Sequence, residues 1–415
     1  MKLFKQTLLA AAVLSSAGAM AQTTAIINAQ IHTASEQGVI KNGSVIIEDG
    51  KIKAVTTDAA TADVIIDAQG KIVTPGFIGS MNQLGLVEVG AVASSRDGNE
   101  KKGGITFDPS LAFNPKSTLI AYARKGGITR DVIAPSWGES PFVGLSSTVN
   151  LSGEFGTSVV DSQNAIIVNL GGTKDGSRAA SLSEFIDTLE EQQTKIAKAK
   201  KSDKKDDKAE PSKKEQLLTA ALNGEKPVVV RVSRAQDMLE LIKVKARFGI
   251  DLVISGAEDA LPIKAELAAA KVPVILSAMA NLPGDFDSLN ASLETAGELE
   301  KAGVLVALTI AGDSSHNVYQ LRYDAGNAIA NGMSREGALK AITSNVADIF
   351  NIEDAGSIEV GKAADLAVWS ADPFEFSTTL EKVMINGVEV STESRHDKLR
   401  DRYMAETNMP RAYTK

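Results

Sequence analysis

Histidine and cysteine, two of the usual catalytic and metal-ligating groups, are scarce in this chain. It has three histidines and no cysteine in 415 residues, whereas a hydrolytic zinc needs about three protein ligands plus an open position for water. His32 falls among short N-terminal β segments and His396 close to the C-terminus, so only His316 can reach a site built by the middle of the chain. His316, followed by Asn317, is suited to binding a ligand or shuttling a proton, or to a purely structural role. Just before it, Asp313, Ser314 and Ser315 are residue types that cap a helix, here one expected to begin near Asn317. Arg231 and Ser233 lie two apart at the end of an apolar run and therefore share one strand face. A guanidinium stays protonated and has no lone pair, so Arg231 would repel a dication placed beside it and attract an anion. The other reading of Arg231 is a rim salt bridge to Glu258 or Asp259. Glu88, Arg96 and Asp97 form a charged loop that either contacts a substrate or is simply solvated.

The middle of the chain alternates apolar strand-like runs with helical stretches, the pattern of βα units around a parallel sheet. Strands are expected at 72–78, 131–134, 147–151, 165–170, 228–232, 252–254, 272–276 and 304–310, the number that closes a (β/α)8 barrel. The clearest helices are 235–247 and 259–270, with apolar residues at three- and four-residue spacing. An open doubly wound sheet competes, but no dinucleotide fingerprint supports it. Both ends are β-rich. Asp49-Gly50 and Asn386-Gly387 are hairpin signals, and strands are expected at 25–27, 43–48, 51–55, 356–369 and 383–390. The two ends therefore predict one small sheet domain shared by both termini.

Residues 1–21 have the features of an export leader: Lys2 and Lys5, an apolar middle, and Ala19-Met20-Ala21 as a cleavage site. The apolar run is too short to span a bilayer. What remains, roughly 390 residues, is enough for one large α/β domain and a small satellite. The absence of cysteine excludes disulfides and thiolate ligands and suits the periplasm. A net charge of −8 argues against nucleic acid and anionic lipid as partners. Residues 198–215, rich in Lys and Asp, are expected to be a solvated insertion.

The stretch from Val73 to Gln83, Val-Thr-Pro-Gly-Phe-Ile-Gly-Ser-Met-Asn-Gln, resembles a segment of the amidohydrolase superfamily. There it reads Pro-Gly-Phe-Ile-Asp-x-His-x-His, and the two histidines hold a divalent metal. The resemblance holds up to Ile78, after which Gly79 replaces the Asp, and Met81 and Gln83 replace the two histidines. Pro227 to Asp237 resembles the fifth-strand run, with Arg231 and Ser233 at histidine positions. Leu252 to Gly256 resembles the sixth, with Ser255 in place of a histidine, and Asn169 ends the fourth without a Lys or Glu. Asp313 resembles the eighth-strand aspartate that accepts a proton from the metal-bound water. The turn from Gly356 to Leu366, with Gly361-Lys362-Ala363-Ala364-Asp365, is similar to a C-terminal structural signature of the family, and the chain as a whole stands near its imidazolonepropionase-like branch.

The resemblance implies a (β/α)8 TIM barrel over 75–351 and a small β-sandwich composite domain of 22–74 and 352–392, with a tail at 393–415. It implies a hydrolase acting on amides or cyclic amides, which the leader would make exported, periplasmic or secreted. Relatives use zinc or another divalent ion; here no cofactor is expected, and activity would be weak, metal-independent or lost. Asp313 is the expected catalytic residue, and Gln83, Arg231, Ser233, Ser255 and His316 the substrate contacts. The expected partner is a small molecule, anionic where it meets Arg231. Nucleic acid is not expected, nor membrane once the leader is removed; a homo-oligomer is left open. The alternatives are a non-catalytic binder of small molecules or peptides and a partner subunit of an active paralogue.

Overall fold

The computed structural model describes residues 22–171, 177–201, 210–310 and 315–404. The leader (1–21), Asp313, the centre of the charged insertion and the end of the tail lie outside the described residues.

Two eight-stranded sheets organise the chain. The first draws β1 (Thr24–His32), β2 (Val39–Glu48), β3 (Lys51–Thr56), β4 (Val64–Asp67) and β5 (Ile72–Pro75) from the N-terminal end. It is completed by strands from the other end of the chain, Leu366–Trp369, Leu380–Ile385 and Val388–Glu389. Both hairpins form where the dipeptides place them. Asp49 and Gly50, and likewise Asn386 and Gly387, adopt the positive φ that a two-residue turn of matching twist requires. The stretch expected as one strand at 356–369 is extended only over Leu366–Trp369, because Gly356 and Gly361 turn the backbone ahead of it.

The second sheet runs in order from β6 (Phe77–Asn82) through β7 (Ile128–Ile133), β8 (Phe142–Asn150), β9 (Val159–Asn169), β10 (Val228–Val232), β11 (Leu252–Gly256) and β12 (Val274–Leu276) to β13 (Val306–Leu308). It curls into a nearly closed barrel. At the seam, the Thr309 hydroxyl donates to the Ser80 carbonyl at 2.6 Å. Along the strands, alternate residues face in. Ile78, Val132, Ile167, Val229, Val253, Ile275 and Ala307 fill the interior against Val346, Ile349 and Phe350, while Phe77, Val228, Val230, Leu252 and Ile254 join the apolar layer under the helices.

Two expectations are corrected. The strand expected over 72–78 is two strands. Pro75 cannot donate to a ladder, and Gly76 sits so close to Thr129 that any Cβ would collide with it, so the chain crosses there from one sheet into the other. The barrel is also not eight repeats of βα. β8 is antiparallel to both β7 and β9. Residues 134–141 are fewer than the dozen or so that a parallel crossover needs, so the chain returns as a hairpin.

Smaller differences have local causes. Pro262 turns the start of the helix expected at 259–270 into a 3-10 turn, leaving Lys264–Ala269 α-helical. The helix expected near Asn317 begins as a 3-10 segment, Ser315–Gln320, and is α-helical from Leu321. The insertion expected to end at 215 ends earlier. Ser212 and Glu215 exchange the reciprocal bonds of a capping box and start the helix Lys213–Leu222.

Candidate functional site

At the carboxyl ends of the parallel strands, Asn169, Arg231 and Ser255 stand side by side on β9, β10 and β11. The tip of β6 meets them across the barrel. Met81 is buried and held at φ +57°, a left-handed conformation that is strained for a side chain with a Cβ. Its carbonyl accepts from the Arg231 guanidinium, Nη2 at 3.2 Å. Gln83 is buried as well. Its backbone N–H donates to the Ser315 hydroxyl and its side-chain amide to the Ser136 hydroxyl, both at 3.2 Å.

Beside this row lies a buried carboxylate that the sequence reading did not single out. Asp131 on β7 is fully buried and pairs in register with Gly79. A Cβ on Gly79 would lie 2.9 Å from Asp131 Oδ2, so the carboxylate occupies space that a side chain at position 79 would need. Asn82 Nδ2 donates to both Asp131 oxygens, at 2.8 and 3.0 Å, while Asn82 Oδ1 accepts from Leu84 N at 2.9 Å. Burial pushes the Asp131 carboxyl up to about 7, opposed by the Asn82 amide and the Val132 N–H, which favour the ionised form. The signal available in the sequence was an Arg-Asp pair, Arg130-Asp131, inside an otherwise apolar β run.

A cavity of about 680 Å³ opens next to the tip of β6. Gln83 and His316 line it together with Glu88, Arg96, Asn99 and Trp137. Asn99 shapes its rim by accepting from the backbone N–H groups of Ser136 and Trp137. Glu88 accepts from Asn114 and Ser117, and Trp137 is half exposed. Of the expected contacts, Gln83 and His316 are thus brought together with two of the loop charges. Arg231, Ser233 and Ser255 are not among the cavity's lining residues. Ser233 uses its carbonyl to accept from Asp259 N, and the Asp259 carboxylate accepts from Ala235 N at the start of the helix Ala235–Phe248.

Five of the described side chains at the strand tips are not usual ligands of a divalent ion. Met81 offers a thioether, Gln83 and Asn169 amides, Ser255 a hydroxyl, and Arg231 a cation without a lone pair. At contact distance, a guanidinium and a dication repel each other by on the order of 8 kcal/mol at an effective dielectric of about 20. Among the described residues, no group of three or more His, Cys, Asp and Glu is gathered closely enough to hold a metal.

The model of the amidohydrolase family matches residues 184–390. An amidohydrolase from Thermotoga maritima superimposes with a TM-score of 0.80 at 28% identity, over 90% of this chain and 100% of that one. An adenosine deaminase from Xanthomonas campestris shares the fold, with a TM-score of 0.54 at 16% identity over 92% and 99% of the two chains. A curated 5′-deoxyadenosine deaminase from Methanococcoides burtonii is 50% identical over 48 residues, a match that spans only 11% of either protein. The nearly closed barrel, the second sheet drawn from both ends of the chain and these matches have one explanation: the chain belongs to the amidohydrolase superfamily.

Proposed function

We propose that the protein recognises a small anionic amide or cyclic amide in the cavity beside β6, and that any attack of water on its carbonyl carbon, with cleavage of the C–N bond and release of the amine, proceeds without a metal ion. The observation that supports this reading is the set of described side chains at the strand tips, Met81, Gln83, Asn169, Arg231 and Ser255, none of them a usual ligand of a divalent cation. Recognition falls to the cavity. Arg96 and His316 supply donors for a carboxylate, Gln83 an amide for the scissile group, and Trp137 an apolar wall. Activation of water falls to Asp313 acting alone, which forgoes a Lewis acid's contribution of several kcal/mol, roughly 10² to 10⁴ in rate. The reading includes export to the periplasm or beyond, on the strength of the N-terminal leader pattern.

The test is a screen of N-acyl amino acids and cyclic amides, each beside its uncharged ester or neutral analogue, with wild type and Asp313→Asn. The expected result is slow turnover of carboxylate-bearing amides that Asp313→Asn abolishes while ligand binding persists. The same donor set favours a second reading, a binding protein without turnover. Saturable binding with equal background rates for the two proteins would select it. No saturable binding of any carboxylate-bearing amide would remove the proposal.

A further inference from the structure

We infer that Arg231 is the resident cation of the barrel mouth, a built-in cross-link between the tips of β6 and β10 that takes the place of a bound metal as the tie between strands. The tip of β6 is an unfavourable piece of backbone that something must hold. Met81 is buried at φ +57°, and the register of β6 against β7 breaks between Ser80 and Asn82. Each peptide around that break is gripped by a side chain from elsewhere in the barrel. The Ser80 carbonyl accepts from Thr309 beyond β13, the Met81 carbonyl from Arg231 on β10, and Gln83 N–H donates to Ser315. The Asn82 side chain is held by Asp131 on β7.

Among these ties only the one to Arg231 reaches across to β10 and carries a full charge. Its guanidinium donates to a carbonyl, a charge-assisted bond stronger than its neutral counterparts. Because the cation is covalently part of β10, the tie needs no exchangeable ion and does not depend on metal supply. On the proposed reading of the cavity, Arg96 and His316 meet the anion there, and Arg231 holds the floor beside it.

The test is amide hydrogen exchange on the full chain, comparing wild type, Arg231→Gln and Arg231→Lys, with zinc or a chelator added to wild type. Arg231→Gln is expected to speed exchange of the amides at 81–84 by roughly tenfold to a hundredfold, the loss of one charge-assisted bond, with the first sheet unchanged. Arg231→Lys, which keeps the charge but not the fork, should fall between. Wild-type protection at 81–84 is expected to be the same with zinc and with chelator, a readout that needs no variant to fold. Unchanged exchange at 81–84 in Arg231→Gln, or protection there that rises with zinc and falls with chelator, would overturn the inference.

Discussion

At the scale of single residues, a buried carboxylate stands beside the tip of the first barrel strand. Position 79 is glycine, and Asp131 from the next strand fills the space its side chain would need and holds Asn82. Its burial has a consequence for stability. With its carboxyl pushed up to about 7, the folded protein keeps a proton that the unfolded chain releases near pH 4. The folded state therefore binds more protons between those values, and stability falls as pH rises through that window. The contribution is fully present below about pH 4, is lost by about pH 8, and amounts to on the order of 4 kcal/mol. Asp131→Asn is expected to remove that part of the decline, seen as a flatter Tm between about pH 4 and 8; an unchanged slope would mean that Asp131 ionises freely. Gly79, Met81 and Gln83 drew attention in the sequence because they stand where the resemblance to a motif breaks off. Asp131 was not, because a lone acid in a strand shows neither its burial nor its partner from across the sheet.

At the scale of elements, the joint between the two sheets is pinned by charge. Arg130, 1% exposed on β7, donates through Nε to Asp365 at 2.7 Å and through both Nη atoms to Asp354 at 2.7 and 3.1 Å. Asp365 also accepts from Asn386 N at 2.7 Å, so one carboxylate ties the barrel to the C-terminal hairpin. This gives the Gly-Lys-Ala-Ala-Asp turn its physical reason: it delivers an acid to a guanidinium with no access to water. Asp365→Asn leaves that buried cation short of a counter-charge and is expected to cost about 3 kcal/mol or more, measured by denaturant unfolding. A loss within error of zero would show the pin to be dispensable. The hairpins at Asp49-Gly50 and Asn386-Gly387 and most parallel strands were readable from apolar runs and turn residues. The reversal of β8 was not. Apolar periodicity is the same for a strand running either way, and only the shortness of the 134–141 connection distinguishes the two.

At the scale of the whole molecule, the amidohydrolase barrel carries Asn169, Arg231 and Ser255 side by side at its described strand tips. The apolar interior, the second sheet and the cavity beside β6 are intact, and the strand tips are joined by Arg231, Thr309 and Asp131 through Asn82. The overall family was legible in the sequence because turns and buried runs carry it. The site was legible only as breaks in a resemblance, since where Arg231 donates and what Asn82 touches depend on residues far away in the chain. The most direct measurement is the metal content of purified protein expressed with ample zinc, manganese and iron and then passed through gel filtration without chelator. The account predicts less than about a tenth of an equivalent of any divalent metal per chain, as the proposed metal-free reading requires. About one tightly held equivalent per chain would contradict it.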